Sequence, residues 1–377
     1  MRMYDAIVVG VGAMGAATCW QLARRGKRVL GIERYDIPNA MGSSHGVNRI
    51  VRLAYFEHPS YVPLLRRAYQ LWRETEQLAG EQLLYVTGSM DIGELDSQIV
   101  TASLQSCREH ALPHELLAAA DVHVRFPGYR LPANLVAVHQ QDGGFVASER
   151  AIVATSNLAM NCGAQLHARE RVLEFNPIGG GGVRVLTDRA EYEAGQLILT
   201  AGAWIGELLP NLAEVAVPER QILGWFQPRQ PELFKLGAFP VSNIKSDVGH
   251  FYQFPVWNVP GFKIGLYHHL RESGPAETLS REPTRTDEEA LRQGLRSFFP
   301  EADGDLLSLR FCMFTNTPDG HFIIDRLPEW RDVIVASPCS GHGFKFASVI
   351  GEVLALIALG RHVGLDLSLF SLDRTAV

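Results

Sequence analysis

Gly10, Gly12 and Gly15 fall in the spacing G-x-G-x-x-G directly after the apolar run Ile7-Val8-Val9, and Glu33 stands 23 residues beyond Gly10. Each of these residues has a physical task in holding a dinucleotide. The first glycine permits a tight turn, the second lets a pyrophosphate approach the backbone, and the third allows close helix–strand packing. The phosphates then face a helix N-terminus, where unpaired N–H groups and the positive end of the dipole meet them. A carboxylate at Glu33 accepts hydrogen bonds from an adenosine ribose and disfavours a 2′-phosphate. FAD or NAD(H) fits better than NADP(H), and the fingerprint does not separate the first two. A second signal is Lys263, inside the apolar strand Phe262-Lys263-Ile264-Gly265. An ammonium among hydrophobes is costly without a partner, so this lysine either has a functional role or snorkels to water. His268-His269 suggests metal, but no further ligands occur at suitable spacing, and no metal is expected.

The elements that must position these groups are also legible. The apolar run, the glycine turn, a helix bearing Ala16, Ala17, Trp20, Leu22 and Ala23, and the strand Arg28–Ile32 make a βαβ unit within the first 33 residues. Residues 41–55 show no sustained apolar period. The spacing predicts a helix over 61–76, one strand over 85–93 and a helical segment over 96–125. Asp142–Phe145 reads as a turn opening a helix, and the glycines at 179–182 as a hairpin tip. Residues 216–320 read as Pro- and aromatic-rich strands with one helix near 287–299. The strand Asp332–Ala336 enters Ser340-Gly341-His342-Gly343-Phe344-Lys345, and a last helix runs to about Leu359. Strand, glycine turn and helix thus recur near both ends. This predicts a nucleotide-binding domain assembled from 1–80, 141–215 and 321–377, with a sheet-rich domain from 81–140 and 216–320.

Composition sets the outer bounds. A chain of 377 residues, 46% hydrophobic and 20% charged, has room for two globular domains. The formal charge of −6 supplies no field to hold nucleic acid, and no run of ~18 apolar residues suggests a membrane span. Five cysteines without a C-x-x-C pair suit a reducing compartment. The first strand pattern starts at Tyr4 and leaves no room for a signal peptide, so a soluble, cytoplasmic protein is expected.

Three further motifs carry a resemblance: Gly42-Ser43-Ser44-His45-Gly46 with Arg49-Ile50-Val51-Arg52; Cys312-Met313-Phe314-Thr315-Asn316-Thr317-Pro318-Asp319 with His321-Phe322-Ile323-Ile324-Asp325; and Ser340-Gly341-His342-Gly343-Phe344-Lys345-Phe346. In these, and from the first strand to the C-terminus, the chain resembles the monomeric sarcosine oxidase and N-methyltryptophan oxidase family of D-amino-acid-oxidase-like flavoproteins. The resemblance implies an α/β (α+β) fold: a Rossmann-like, glutathione-reductase-like FAD domain and a substrate domain on a large mixed sheet. It implies oxidation of the C–N bond of a secondary amino acid to an imine that hydrolyses, with oxygen reduced to hydrogen peroxide. The expected partners are a small amino acid and oxygen, and the expected state is a monomer, with higher states left open.

The resemblance also distributes roles. Cys312 is implied to hold FAD covalently, and Lys345 with Arg52 to anchor the substrate carboxylate through charge-assisted hydrogen bonds. Arg49 and His45 are implied to lie against the flavin, Lys263 to activate oxygen, and His342 to sit at the active site. Gly341 and Gly343 bring backbone N–H groups near the flavin, and Arg34, Ser43, Ser44, Val172, Gly202 and Lys345 complete the implied cofactor contacts. Tyr252 is implied to cover the substrate. Position 268 matches a family pocket histidine only approximately, and His268 and His269 carry no assigned role. Departures occur at Pro338-Cys339, Phe314 and Val47-Asn48; they bear on the substrate pocket rather than on flavin binding. Oxidation of a bulkier or cyclic amine, such as N-methyltryptophan, pipecolate or proline, and a dehydrogenase using another acceptor remain open alternatives.

Overall fold

The computed structural model describes residues 3–375. Strand Met3–Val9 runs parallel to Val29–Ile32 on one side and to Glu191–Leu199 on the other. Gln165–His167 extends one edge of this sheet, and the hairpin of Val172–Pro177 with Val183–Thr187 extends the other. Val333–Ser337 lies parallel to the end of Glu191–Leu199. Alternate residues of the central strands feed two cores. Ala6, Val8, Ile198 and Ile334 pack with Trp20, Tyr61 and Trp72 of the helices Ala13–Ala23 and Tyr61–Ala79. Ile7, Val9, Leu197, Leu199 and Val335 pack on the other face with Phe175 and Leu212. Burial on both faces is why Ile7-Val8-Val9 reads as an unbroken apolar run.

A second sheet has eight strands in the order Leu306–Asn316, Val217–Phe226, Phe262–Leu266, Gly249–Phe254, Val241–Ser246, Ser89–Glu94, Leu135–Gln140 and Glu115–Ala118. Its neighbours are antiparallel except Val241–Ser246 with Ser89–Glu94, the seam where two distant stretches of chain meet. Helix Arg285–Phe298 packs on this sheet through Leu291 and Leu295 and is capped by a reciprocal Thr284–Asp287 pair. A small third sheet joins Asn48–Val51, Gly144–Ala147 and Leu84–Val86.

Three expectations need correction. The segment over 96–125 is not one helix: Gln98–Glu109 and Ala119–Arg125 are separated by the strand Glu115–Ala118. Pro113 supplies no N–H for a continuing helix, and the following residues pair with the edge of the second sheet instead. The single strand over 85–93 is two, Leu84–Val86 and Ser89–Glu94, in different sheets. Gly88, at φ +78°, makes the corner. The turn Asp142–Phe145 opens the strand Gly144–Ala147 before the helix Ser148–Asn161 begins. Residues 41–55, without a sustained apolar period, contain the short strand Asn48–Val51. No helix among the described residues is long and apolar enough to cross a membrane.

Candidate active site

One cleft of about 1800 Å³, its open mouth included, is lined from Gly10 and Glu33 through Cys312 to Lys345. At one end the chain turns at Gly10, whose φ is +89° and where a Cβ would meet Thr200 O at 2.6 Å. A Cβ on Gly15 would lie 1.9 Å from Gly10 O, so only glycine lets this helix start so close to the strand. Helix Ala13–Ala23 has no capping side chain and no acid in its first turn. Its start at Gly12, Ala13 and Met14 lines the cleft. Glu33 accepts N–H groups from Val11 at 2.8 Å and Tyr35 at 3.0 Å, and its burial raises its pKa above the usual carboxylate value. These features fit the pyrophosphate and ribose of a dinucleotide.

Arg34 closes this end, paired with Glu207 at 3.3 Å and Glu277 at 3.0 Å and packed over Tyr35 and Trp204. Ser43, Ser44, Val172, Gly202, Gly341 and Gly343 all line the cleft. Ser44 Oγ takes the N–H of Ala13 at 3.4 Å. Farther along, Arg49 donates to Asn48 O at 2.9 Å, to Ser43 O at 3.0 Å and to Cys312 Sγ at 3.5 Å. Cys312, on the strand Leu306–Asn316, is buried in the wall.

The far end carries two buried cations. Arg52 donates to Ala54 O, bonds Glu57 through Nη2 at 2.9 Å to both oxygens, and approaches Asp91 with Nε at 3.5 Å. It is sandwiched by Tyr55 and Phe56, 4.4 and 4.3 Å from their ring centres. Burial alone would lower its pKa, but Asp91 and Glu57 outweigh that and hold it charged. Lys345 donates to His342 O at 2.7 Å, and its backbone carbonyl is pinned by Trp72 Nε1 at 2.8 Å. Burial, with Arg52 beside it, lowers the Lys345 pKa to about 7.

His342 lines the cleft with both ring nitrogens engaged, Nε2 with Gly320 O at 2.9 Å and Nδ1 with Tyr55 Oη at 2.7 Å. A carbonyl only accepts, so Nε2 bears the proton and Nδ1 accepts from the tyrosine. Burial lowers its pKa to about 4. The ring is therefore neutral and has no lone pair left for a substrate proton.

Two expected residues lie behind the wall rather than in it. Lys263 donates to Gly46 O and Asn48 O, each at 2.7 Å, and to Asn48 Oδ1 at 2.8 Å. Burial pushes its pKa well below the ordinary lysine value, yet three oxygen acceptors suit an ammonium with three donors. Buried His45 has no hydrogen bond on Nε2, and its pKa falls to about 4 through burial, with Arg49 nearby. Tyr252 does line the cleft, as do Tyr267, Phe254, Phe314 and Asn243. Tyr267 was missed, although strand alternation from Lys263 through Gly265 puts it on the same face. Its neighbour His268 instead binds Glu219 at 2.8 Å, and His269 binds Asp287 at 2.8 Å. No His, Cys, Asp and Glu cluster among the described residues could hold a metal ion.

Comparison with known proteins accords with this geometry. Residues 5–357 match the family model described as FAD dependent oxidoreductase. The monomeric sarcosine oxidase of Streptomyces avermitilis is 38% identical over 99% of this chain and 98% of its own. The N-methyl-L-tryptophan oxidase of Yersinia pestis is 34% identical over 98% of this chain and 99% of its own. Among solved structures, the amino acid oxidase NikD superposes with a TM-score of 0.86 at 27% identity, covering 98% of both chains. Glycine oxidase from Geobacillus kaustophilus shares the fold, with a TM-score of 0.82 at 20% identity over 99% of both chains. This chain belongs to the FAD-dependent oxidoreductase family, in the group that holds the monomeric sarcosine oxidases and N-methyltryptophan oxidases.

Proposed function

We propose that this protein is a flavin-dependent oxidase of secondary, N-methylated amino acids. The observation that carries the reading is the pair Arg52 and Lys345, buried in the wall of the same cleft that holds the Gly10–Gly15 turn. Bound FAD supplies the two-electron oxidation of the amine's C–N bond, and oxygen takes the electrons as hydrogen peroxide. The chain's own residues prepare the amine. A carboxylate docks by taking hydrogen bonds from Arg52 and the free N–H of Lys345, displacing Glu57 from the guanidinium. The same two cations disfavour a protonated amine next to that carboxylate and keep its nitrogen neutral. The imine product is then hydrolysed by water.

We assign Cys312 to the covalent flavin link, supported by its burial beside Arg49, and Lys263 to oxygen activation as a fixed cation. Segments 1–80, 141–215 and 321–377 form the cofactor domain in this reading, and 81–140 with 216–320 the substrate domain. The site is proposed to work in a cytoplasmic monomer. Anaerobic mixing with a series of N-methyl amino acids, sarcosine among them, followed near ~450 nm, tests the reaction. Bleaching that recovers with peroxide on admitting air is expected; a yellow protein that no N-methyl amino acid bleaches overturns it. After acid precipitation the pellet should stay yellow, and a colourless pellet would remove Cys312 from its role.

A further inference from the structure

Asn243 faces the same cleft on the strand Val241–Ser246. Strand register places Asp91, Asn243, Tyr252 and Gly265 in one row across the second sheet. Neighbours in such a row share a face, with Cβ atoms about 4.5–5.5 Å apart. The row starts at the carboxylate anchor, because Asp91 lies 3.5 Å from Arg52 Nε. Asp91 also takes an O–H from Ser103 at 3.0 Å and an N–H from Asn243 Nδ2 at 2.9 Å. Both Asp91 oxygens thus act as acceptors, which fixes the orientation of the Asn243 amide: its nitrogen faces Asp91 and its oxygen faces the other way. No described residue donates to Oδ1, and its row neighbour Tyr252 lines the same cleft.

We propose that Asn243 selects the substrate by its side chain: the amino acid oxidised here carries a hydroxyl or N–H donor that reaches Asn243 Oδ1. The proposal rests on the oxidase reading and narrows its substrate class. With the carboxylate on Arg52 and Lys345, the C–N bond must face the cofactor. Cys312 lies on the edge strand Leu306–Asn316, four strands from Val241–Ser246. The group that reaches Asn243 is therefore on the side of the amino acid away from the reacting bond. An aliphatic side chain there would cover Oδ1 and strip its water without replacing the hydrogen bond, whereas a donor would complete it.

The flavin-loaded protein is tested with N-methyl-L-serine and N-methyl-L-2-aminobutyrate, which differ by a hydroxyl in place of a methyl. The expected result is a preference for the serine derivative of about tenfold or more in kcat/KM, inverted by Asn243→Leu. A ratio near one in the wild type, or one that Asn243→Leu leaves unchanged, overturns the proposal. Equal losses on both compounds also overturn it, because the amide oxygen would then serve the amine they share. Should Asn243→Leu not fold, the wild-type ratio decides alone. If neither these compounds nor any other N-methyl amino acid is oxidised, the oxidase reading fails separately. The ratio of their dissociation constants, read from the flavin spectrum, then tests Asn243 by the same criterion.

Discussion

At the Gly10–Gly15 end of the cleft the wall is backbone: a glycine corner, a helix start without a side-chain cap, and a carboxylate held by two N–H groups. At the Arg52–Lys345 end it is side chains: two buried cations with Tyr252 and Tyr267, backed by Glu57 and Asp91 as counter-charges and by the rings of Tyr55 and Phe56 on Arg52. The difference matches the two ligands. A pyrophosphate is the same in every such cofactor, and backbone donors recognise it without a specific residue type. An amino acid varies at its side chain, and only side chains of the protein can respond to that. The cofactor end should therefore fail by steric exclusion and the substrate end by uncompensated charge.

Gly15→Val probes the first most severely. Its Cβ would sit 1.9 Å from Gly10 O, so the purified protein should carry no flavin, by absorption at ~450 nm, and lose more than ~4 kcal/mol of stability. A yellow Gly15→Val protein would show that the turn tolerates displacement and that the contrast is overdrawn. Arg52→Gln comes next. It leaves Glu57 and Asp91 without their cation, and truncating one partner of a buried charge pair costs about 3–4 kcal/mol, or 10²–10³-fold in kcat/KM. Flavin content should stay at the wild-type level; loss of flavin would mean the two ends are not separable.

Lys263→Met tests a residue between them, behind the 46–48 segment. Reoxidation should slow about 10²-fold while flavin reduction changes little. Equal slowing of both half-reactions would make Lys263 a brace for Gly46 and Asn48 rather than a cation acting on oxygen. The smallest effect is a slope with pH. Lys345 loses its proton near pH 7 in the folded chain, against about 10.4 when unfolded. The unfolded state holds more protons between those values, so this group's contribution to stability rises with pH across that window. A carboxylate needs the ammonium, so the Kd of propionate, which has no amine of its own, should be flat below pH ~7. Above it the Kd should rise about tenfold per unit. Lys345→Met should bind weakly at every pH, and a flat wild-type profile to pH 9 would take Lys345 out of the anchor.

Legibility followed the same divide. The βαβ unit, the glycine turn and Glu33 are local in sequence, and local sterics force their shape, so Gly10, Gly12 and Glu33 line the cleft while Gly15 packs against Gly10 O. Cys312, Arg49, Arg52, Lys345 and His342 also line it, because their motifs are short and keep their order. His342, however, proves to be fully hydrogen-bonded, and Lys263 and His45 stand behind the wall, since a residue type says nothing about which way a buried side chain is turned.

Asp91 and Asn243 could not be read from the chain in this way. Asp91 and Asn243 lie 152 positions apart and meet only through the parallel seam of the second sheet. Nothing in either strand's own pattern specifies that partner. Likewise, the helical reading of 96–125 failed where pairing with Leu135–Gln140 drew Glu115–Ala118 into a sheet edge. The sequence by itself determined the cofactor cradle and the kinds of charge available, because these depend on steric limits and residue chemistry within short segments. The tertiary structure decided which charges face one another and which acceptor is left open to a ligand, because strand register between distant segments is a property of the whole packed sheet.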